Sequence, residues 1–588
     1  MNNEEREQLE RALGRIPKAS WDELLASPEG AALASRRELV RECLREMRRL
    51  PPGAPPSPVT DLIELHGHGL LATGDLARWV RYQLLLQLAP TKWERLAARF
   101  REIDSARASS LHGNATQHGV GSEVMAQPWQ RGGRWARTFC DTLELPESLA
   151  HGRDRALPDD ERVEPPVALT ALHDFQQDTY HALRRILGGG VGSALLSLPT
   201  GAGKTRVAVD ALCDHLAGRR DARNVVLWIA QSDELLQQAW QCFRQVWGSP
   251  RDGAEVRRTG LDIVRAWGSR RIDTVEVDDG PAVVLAGIQQ LHAWSDDPEA
   301  LADLLPRRRL AAVVVDEAHR VITQSSREVL IALGLRVKNH WRVPANAPPV
   351  LGLTATPWRS RDAESESLRG YFERTLITSK HLGDRPIEAL QERGILAKVR
   401  WRGLEAGAAP ALTAAERRRA EEFGDLPPEY LARLGLVPRR NAQIVDLLLG
   451  LPDARQGLLF ACSVEHAEVL ALLLNRAAGG EVAAAVSSRT HRGDRNDSIA
   501  RFRNGELRFL CNVGVLTTGF DAPKADVVCI TRPTTSAILY EQMVGRGLRG
   551  PLNGGTKSCL VLDVQDEGLP GEIMSYARVK AQWDGTPE

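Results

Sequence analysis

Seven consecutive residues, Pro199-Thr200-Gly201-Ala202-Gly203-Lys204-Thr205, carry the first recognisable chemistry in the chain. Glycines in a tight loop let backbone N–H groups converge on anionic oxygens, and a helix that starts there adds its positive dipole end. In this pattern Thr200, Gly201, Ala202 and Gly203 line a phosphate cradle. Lys204 reaches the β- and γ-phosphates, and the Thr205 hydroxyl holds Mg²⁺. A second run, Val313-Val314-Val315-Asp316-Glu317-Ala318-His319, supplies acid at the end of an apolar stretch. Carboxylates at a strand's C-terminal end stand where ligands bind open α/β sheets. There Asp316 would hold Mg²⁺ through water, and Glu317 would orient and deprotonate an attacking water. A third cluster is cationic. Arg546 and Arg549 lie three residues apart, which predicts one helical face, with Gln542 one turn further back. Charge developing on a transferring phosphoryl group needs such a cation, worth about 10³–10⁵ in rate.

These groups need a frame that holds them together. From residue 166 short apolar runs alternate with helical patterns: Ala194–Leu198, Val225–Ala230, Ala282–Ala286, Ala311–Val315 and Val350–Leu353. Such runs read as buried parallel strands joined by crossover helices. A second set follows at Gly457–Ala461, Val482–Val486, Leu507–Val513, Val527–Ile530 and Cys559–Leu562. The expected layout is a helical accessory region with a polar linker (1–165), a first α/β domain (166–399), a helical connector (400–440) and a second α/β domain (441–588). Residues 105–165 read as loop and linker.

Composition bounds the possibilities. The 588 residues balance 76 Lys+Arg against 76 Asp+Glu, so any nucleic-acid surface must be a local patch. The eight cysteines include no CxxC pair, which speaks against a thiolate zinc site and a dense disulfide framework. No apolar run reaches the length of a membrane span, and no secretory signal is visible, so a cytoplasmic location and no membrane partner are expected.

Taken in order, the motifs resemble those of superfamily 2 helicases and translocases of the DEAH-box type, and within them the XPB-like or restriction-motor branch. The resemblance spans residues 166–565. It implies two RecA-like parallel-sheet domains in tandem, an α/β fold preceded by a mostly helical N-terminal domain, with ATP and Mg²⁺ as cofactors. It also implies further roles. Gln176, in Leu172-His173-Asp174-Phe175-Gln176, would read the adenine base. Thr354 and Thr356 of Thr354-Ala355-Thr356-Pro357 would couple hydrolysis to movement together with His319. Gly519 and Asp521 of the Thr517-Thr518-Gly519-Phe520-Asp521 run would serve the nucleotide. Gln231, Gln289, Ser463, Thr517 and Thr518 would touch the nucleic-acid backbone. The function so implied is an ATP-dependent motor, helicase or duplex translocase, on nucleic acid and by preference DNA. Two other readings fit the same residues: an ATP-gated recruitment protein in a DNA defence or repair complex, and an RNA helicase. Residues 1–165 would offer a surface for protein partners. Their tryptophans read as core, and the arginines between Arg36 and Arg49, interleaved with glutamates, as a solvated helix face.

Overall fold

The structure is a computed structural model. It describes residues 3–49, 59–60, 62–63, 67, 70–71, 74–103, 129, 133–150, 160–163, 169–190, 192–217, 224–249, 260–267, 280–295, 310–320, 323–337, 340, 343–344, 347–355, 362–372, 375–452, 455–490, 492–515, 524–569 and 573–583.

Fourteen strands in the described residues make two sheets. The first contains β1 (Asp160–Val163), β2 (Ser193–Ser197), β3 (Val225–Ala230), β4 (Leu261–Ala266), β5 (Ala282–Gly287), β6 (Leu310–Val315), β7 (Val350–Thr354) and β8 (Leu376–Ile377). Their spatial order is β1-β4-β5-β3-β6-β7-β2-β8. All pairings are parallel except that of the edge strand β1 with β4. The second sheet contains β9 (Lys398–Ala408), β10 (Gly457–Phe460), β11 (Ala483–Val486), β12 (Phe509–Asn512), β13 (Val527–Ile530) and β14 (Ser558–Glu567). Its order is β11-β12-β10-β13-β14-β9, parallel throughout. Strands β3, β5, β6, β10 and β13 are buried on both faces, which is why they read as unbroken apolar runs. This is the tandem parallel-sheet architecture expected.

Three boundaries differ from the sequence expectation. Residues 400–440 do not open as a helical connector: β9 pairs with β14 and completes the second sheet, so that domain begins near Lys398. The alternation Lys398, Arg400, Arg402 hid this strand, because an edge strand carries charge where inner strands carry aliphatics. Within 105–165, Arg134–Leu143 is a helix that buries Trp135, Ala136, Phe139 and Cys140. Lastly, the N-terminal region is not one separate body. The helix Pro28–Glu46 starts on Ser27, whose Oγ accepts from the Gly30 N–H. Gly30 is required there, since a Cβ would fall 1.8 Å from the Leu24 carbonyl oxygen. Its first half adds Leu33 to an N-terminal core with Trp21, Phe100 and Phe139. Its second half lays Val40, Cys43 and Leu44 on the second α/β domain, against Ala442, Val445 and Leu470. Arg36 pairs with Glu468 at 2.7 Å and Arg49 with Asp446 at 3.4 Å. Much of the arginine-rich stretch is thus spent on intramolecular pairs.

The second domain is pinned by a buried charge pair. Arg440 Nε lies 2.7 Å from Asp566 Oδ1, both side chains almost fully enclosed, and its Nη2 also donates to the Thr531 carbonyl. Arg440→Ala leaves Asp566 buried without its cation. It should cost about 3–5 kcal/mol, read as a lower urea midpoint for the transition of the second domain.

Candidate functional site

The cradle forms between β2 and the helix Lys204–Ala217. Gly201 and Gly203 take φ of +82° and +85°, which L side chains seldom adopt. A Cβ at Gly201 would come within 2.9 Å of Leu396, and one at Gly203 within 2.6 Å of Gln176. The loop's concavity therefore depends on glycine. Lys204 Nζ donates to the Leu198 carbonyl at 3.1 Å. Burial lowers its pKa, and the charge of Arg546 adds to that, while Glu317, Asp316 and Glu541 oppose both.

Gln176 lies beside the loop, as expected, but its amide does structural work. Nε2 donates to the Ala202 carbonyl at 2.9 Å, and Oε1 accepts from the His173 N–H at 3.0 Å. The side chain thus braces the cradle's backbone. Arg206 ties the same segment to the helix, through Asp210 at 2.7 Å and the Thr170 carbonyl.

The acids stand at the end of β6. Asp316 is buried. Glu317 has φ of +49°, a strained conformation for a residue with a side chain. Its Oε2 lies 3.3 Å from His319 Nδ1, and the same nitrogen is 3.5 Å from Thr354 Oγ1. Strand β7 runs between β6 and β2. Thr354, at its end, therefore stands between acid and cradle and links them through His319. Burial drives the Asp316 carboxyl above the ordinary range, and the neighbouring charge of Glu317 adds to this. Burial also opposes ionisation of Glu317, but the His319 hydrogen bond and the charges of His319, Lys204 and Arg546 outweigh it and hold that carboxyl low.

The second domain meets this cradle directly. The helix Ala537–Gly545, capped by Ser536, follows β13 and ends on the loop. A Cβ at Gly545 would come within 2.4 Å of Thr200 Cγ2, so the two backbones approach as closely as they do because residue 545 is glycine. Gln542, one turn earlier, is 5% exposed, and its Nε2 has no hydrogen-bond partner among the described residues. Arg546 caps the helix and its charge bears on both Lys204 and Glu317. Arg549 does not share its helical face, since the helix stops at Gly545. It instead forms an antiparallel bridge with Leu396 in the segment joining the domains, where Ala397 N donates to Leu548 O and Gly550 N to Ile395 O. A spacing of three implies a shared face only while the helix lasts.

The remaining expected residues are scattered. Gln289 Nε2 donates to the Gln231 carbonyl at 3.4 Å, which brings the ends of β5 and β3 together. Ser463 Oγ caps the helix Val464–Ala478 by accepting from the His466 N–H. Thr356, Thr517, Thr518, Gly519 and Asp521 lie outside the described residues. Glu541 was not singled out by the sequence. Its half-exposed carboxyl accepts from Trp583 Nε1 at 2.9 Å, and its charge opposes the lowering of the Lys204 pKa. The motif neighbours Gln542 and Arg546 were the available signal.

The donor set suits a triphosphate with Mg²⁺. A hydroxyl at Thr205 and one buried carboxylate at Asp316 are the sparse oxygen ligation Mg²⁺ takes beside phosphates. The glycine concavity and the Gln542 Nε2, without a partner among the described residues, provide for the anion. No helix among the described residues is long and apolar enough to cross a membrane.

Residues 170–359 match the family model described as type III restriction enzyme, res subunit, and residues 440–550 match the helicase conserved C-terminal domain. The chain is 25% identical over 408 residues to IRC3 of Saccharomyces cerevisiae, an ATP-dependent helicase by name, covering 67% of this chain and 51% of that protein. It is 38% identical over 407 residues to irc3 of Schizosaccharomyces pombe, by name a mitochondrial ATP-dependent helicase, covering 67% and 57%. It is 24% identical over 410 residues to the type I restriction enzyme EcoKI endonuclease subunit of Escherichia coli K12, covering 66% and 34%. The chain therefore spans between a third and three fifths of these relatives' lengths.

A carboxyl whose folded pKa lies above its unfolded value destabilises the fold wherever it is ionised. That cost is absent below the unfolded pKa and grows as pH rises towards the folded one. Asp316→Asn should therefore raise the melting temperature of the nucleotide-free protein more at pH 8 than at pH 5. Paired thermal scans at the two pH values measure this.

Proposed function

Because the chain belongs to superfamily 2 of helicases and translocases, on its restriction-motor branch, we propose that it is a motor that hydrolyses ATP between its two α/β domains to move on DNA. The observation that carries this reading is the seam itself: the end of the Ala537–Gly545 helix stands on the phosphate cradle, and Arg546 bears on Lys204 and Glu317 from the opposite domain.

In this reading the cradle and Lys204 take the phosphates from one side, and Arg546 and Gln542 approach from the other. Thr205 and Asp316 would hold Mg²⁺, which when bound neutralises charge on the β- and γ-phosphate oxygens. Glu317, kept ionised by its cationic neighbours, orients the attacking water and then accepts its proton. His319 fixes the Glu317 carboxylate and passes its state to Thr354. Hydrolysis removes the group that Lys204 and Arg546 share, so the affinity of one domain for the other falls and the cleft opens. Arg549 acts in this cycle from the joint: its bridge to Leu396 places it where the domains hinge, and Leu396 abuts Gly201.

The track is proposed from the relatives, one of which is a restriction endonuclease subunit by name. Gln231, Gln289 and Ser463 stand at strand ends, which suits contacts to a phosphate backbone; such contacts position without reading sequence and weaken with salt.

Lys204→Ala and Glu317→Gln should each lower ATP turnover by at least about 10²-fold, and Arg546→Ala by about 10³-fold or more, measured as phosphate release. Duplex DNA should stimulate wild-type turnover, and the protein should strip a third strand from a triplex at a rate set by ATP. Equal turnover with and without any polynucleotide rejects the motor.

A further inference from the structure

One edge of the second sheet is cationic. β9 stands last in the order β11-β12-β10-β13-β14-β9, so its outer flank meets no further strand among the described residues. In the parallel register with β14, Lys398 stands beside Ser558, Arg400 beside Leu560 and Arg402 beside Leu562. Alternate residues of a strand share a face, so the three cations form a row with steps of about 6.6 Å. All three are exposed. Lys557 extends the row at its start: it is exposed, and its carbonyl accepts from the Lys398 N–H at 3.1 Å.

No carboxylate of the two strands answers these charges. On the shared face β14 offers Ser558, Leu560, Leu562 and Val564. Its Asp563 lies on the other face, where it accepts from Trp401, Tyr540 and Tyr576. The helix Pro438–Leu449 packs Ala442 and Val445 with Leu562, and its one acid, Asp446, is taken by Arg49 at 3.4 Å. Among the described residues, Lys398, Arg400, Arg402 and Lys557 have no ion pair and no side-chain hydrogen bond. Exposed acid returns at the far end of the two strands, at Glu405 and Glu567. One charge on an edge is enough to discourage pairing with a second sheet. A longer row without counter-charge repels itself, and a polyanion relieves that repulsion.

The row suits a phosphate backbone, which carries unit charges at short regular intervals. Grooves for single strands join cations to rings on which bases stack. Here the ring of the strand, Trp401, lies on the opposite face, with its Nε1 held by Asp563 at 2.7 Å. The cationic face therefore favours the outside of a duplex.

We propose that the β9 edge, Lys398, Arg400 and Arg402 together with Lys557, is a backbone contact for duplex DNA on the flank of the second domain. The proposal rests on the DNA-motor reading above and adds a surface that the recognised motifs do not supply. Ser463 follows the carboxyl end of β10, whereas Lys398 and Lys557 stand at the amino ends of β9 and β14. Lys398 also follows directly on the bridged segment Gly394–Ala397, so a duplex seated on this edge is held beside the joint between the domains.

Two full-length variants test this with a fluorescein-labelled duplex, its dissociation constant read by anisotropy over a range of KCl concentrations. Lys398→Gln/Arg400→Gln/Arg402→Gln should bind at least about tenfold more weakly in about 0.1 M salt, and the slope of log K against log[KCl] should shrink by about 2–3. Two unrelated duplex sequences should show the same loss, since the contact reads no base. Arg400→Lys/Arg402→Lys keeps the charges and should keep the wild-type slope. ATP turnover without polynucleotide should stay at the wild-type level in both variants, which shows them folded. Wild-type affinity and slope in the triple variant overturn the proposal and leave the row to an acidic protein partner. Weaker binding with an unchanged slope also overturns it, because the lost contact was then not to phosphate. A wild type that binds no duplex even in low salt rejects the DNA reading itself.

Discussion

Five charged side chains from two domains share one poorly hydrated cleft: Lys204, Asp316 and Glu317 from the first, Glu541 and Arg546 from the second. Asp316 is the most enclosed of them, and a buried charge without a partner costs several kcal/mol. Arg546 acts across the boundary on Lys204 and Glu317, and Glu541 on Lys204, while Asp316 answers to Glu317 and Lys204 of its own domain. The charge state of Lys204 and Glu317 is therefore set in part by the facing domain. A cluster of this kind is sensitive to what enters it, since a polyanion re-pairs the cations and strands the acids. That sensitivity is what a cleft needs if ligand occupancy is to govern domain approach.

Close packing makes the coupling possible. Glycine at 545 lets a helix end rest on Thr200, glycine at 201 admits Leu396, and glycine at 550 lies against the Gly394 carbonyl. The segment Gly394–Ala397, which leaves the first domain, is bridged backbone to backbone with Leu548–Leu552, which follows the finger helix. Hinge and finger are thus one construction, and a shift in either moves the other. The N-terminal helices ride on the second domain through Pro28–Glu46, so their position is tied to that domain, while β1 joins the first sheet at its edge.

The legible parts of the sequence were those with local causes. The inner strands announced themselves as apolar runs, and Val225–Ala230 and Val527–Ile530 matched to the residue. The cradle was readable because phosphate chemistry demands glycine, lysine and a hydroxyl within one turn. Strands β1, β4, β8 and β9 were not readable. They lie at or near sheet edges, where one side is wet and composition loses its signal. The shared helical face expected for Arg546 and Arg549 was not formed, because the helix ends at Gly545 with Arg546 as its cap and Arg549 pairs instead with Leu396.

By itself the sequence determined which groups could do chemistry and that they belong to two parallel-sheet domains, since both follow from residue type and periodicity over short windows. Only the tertiary structure decided which of those groups meet. It put Arg546 on the cradle and Arg549 at the hinge, turned Gln176 to bracing the loop, and joined Glu541 to Trp583 in a contact no motif marks. Such choices depend on distances between segments hundreds of residues apart, which packing fixes and local spacing does not record.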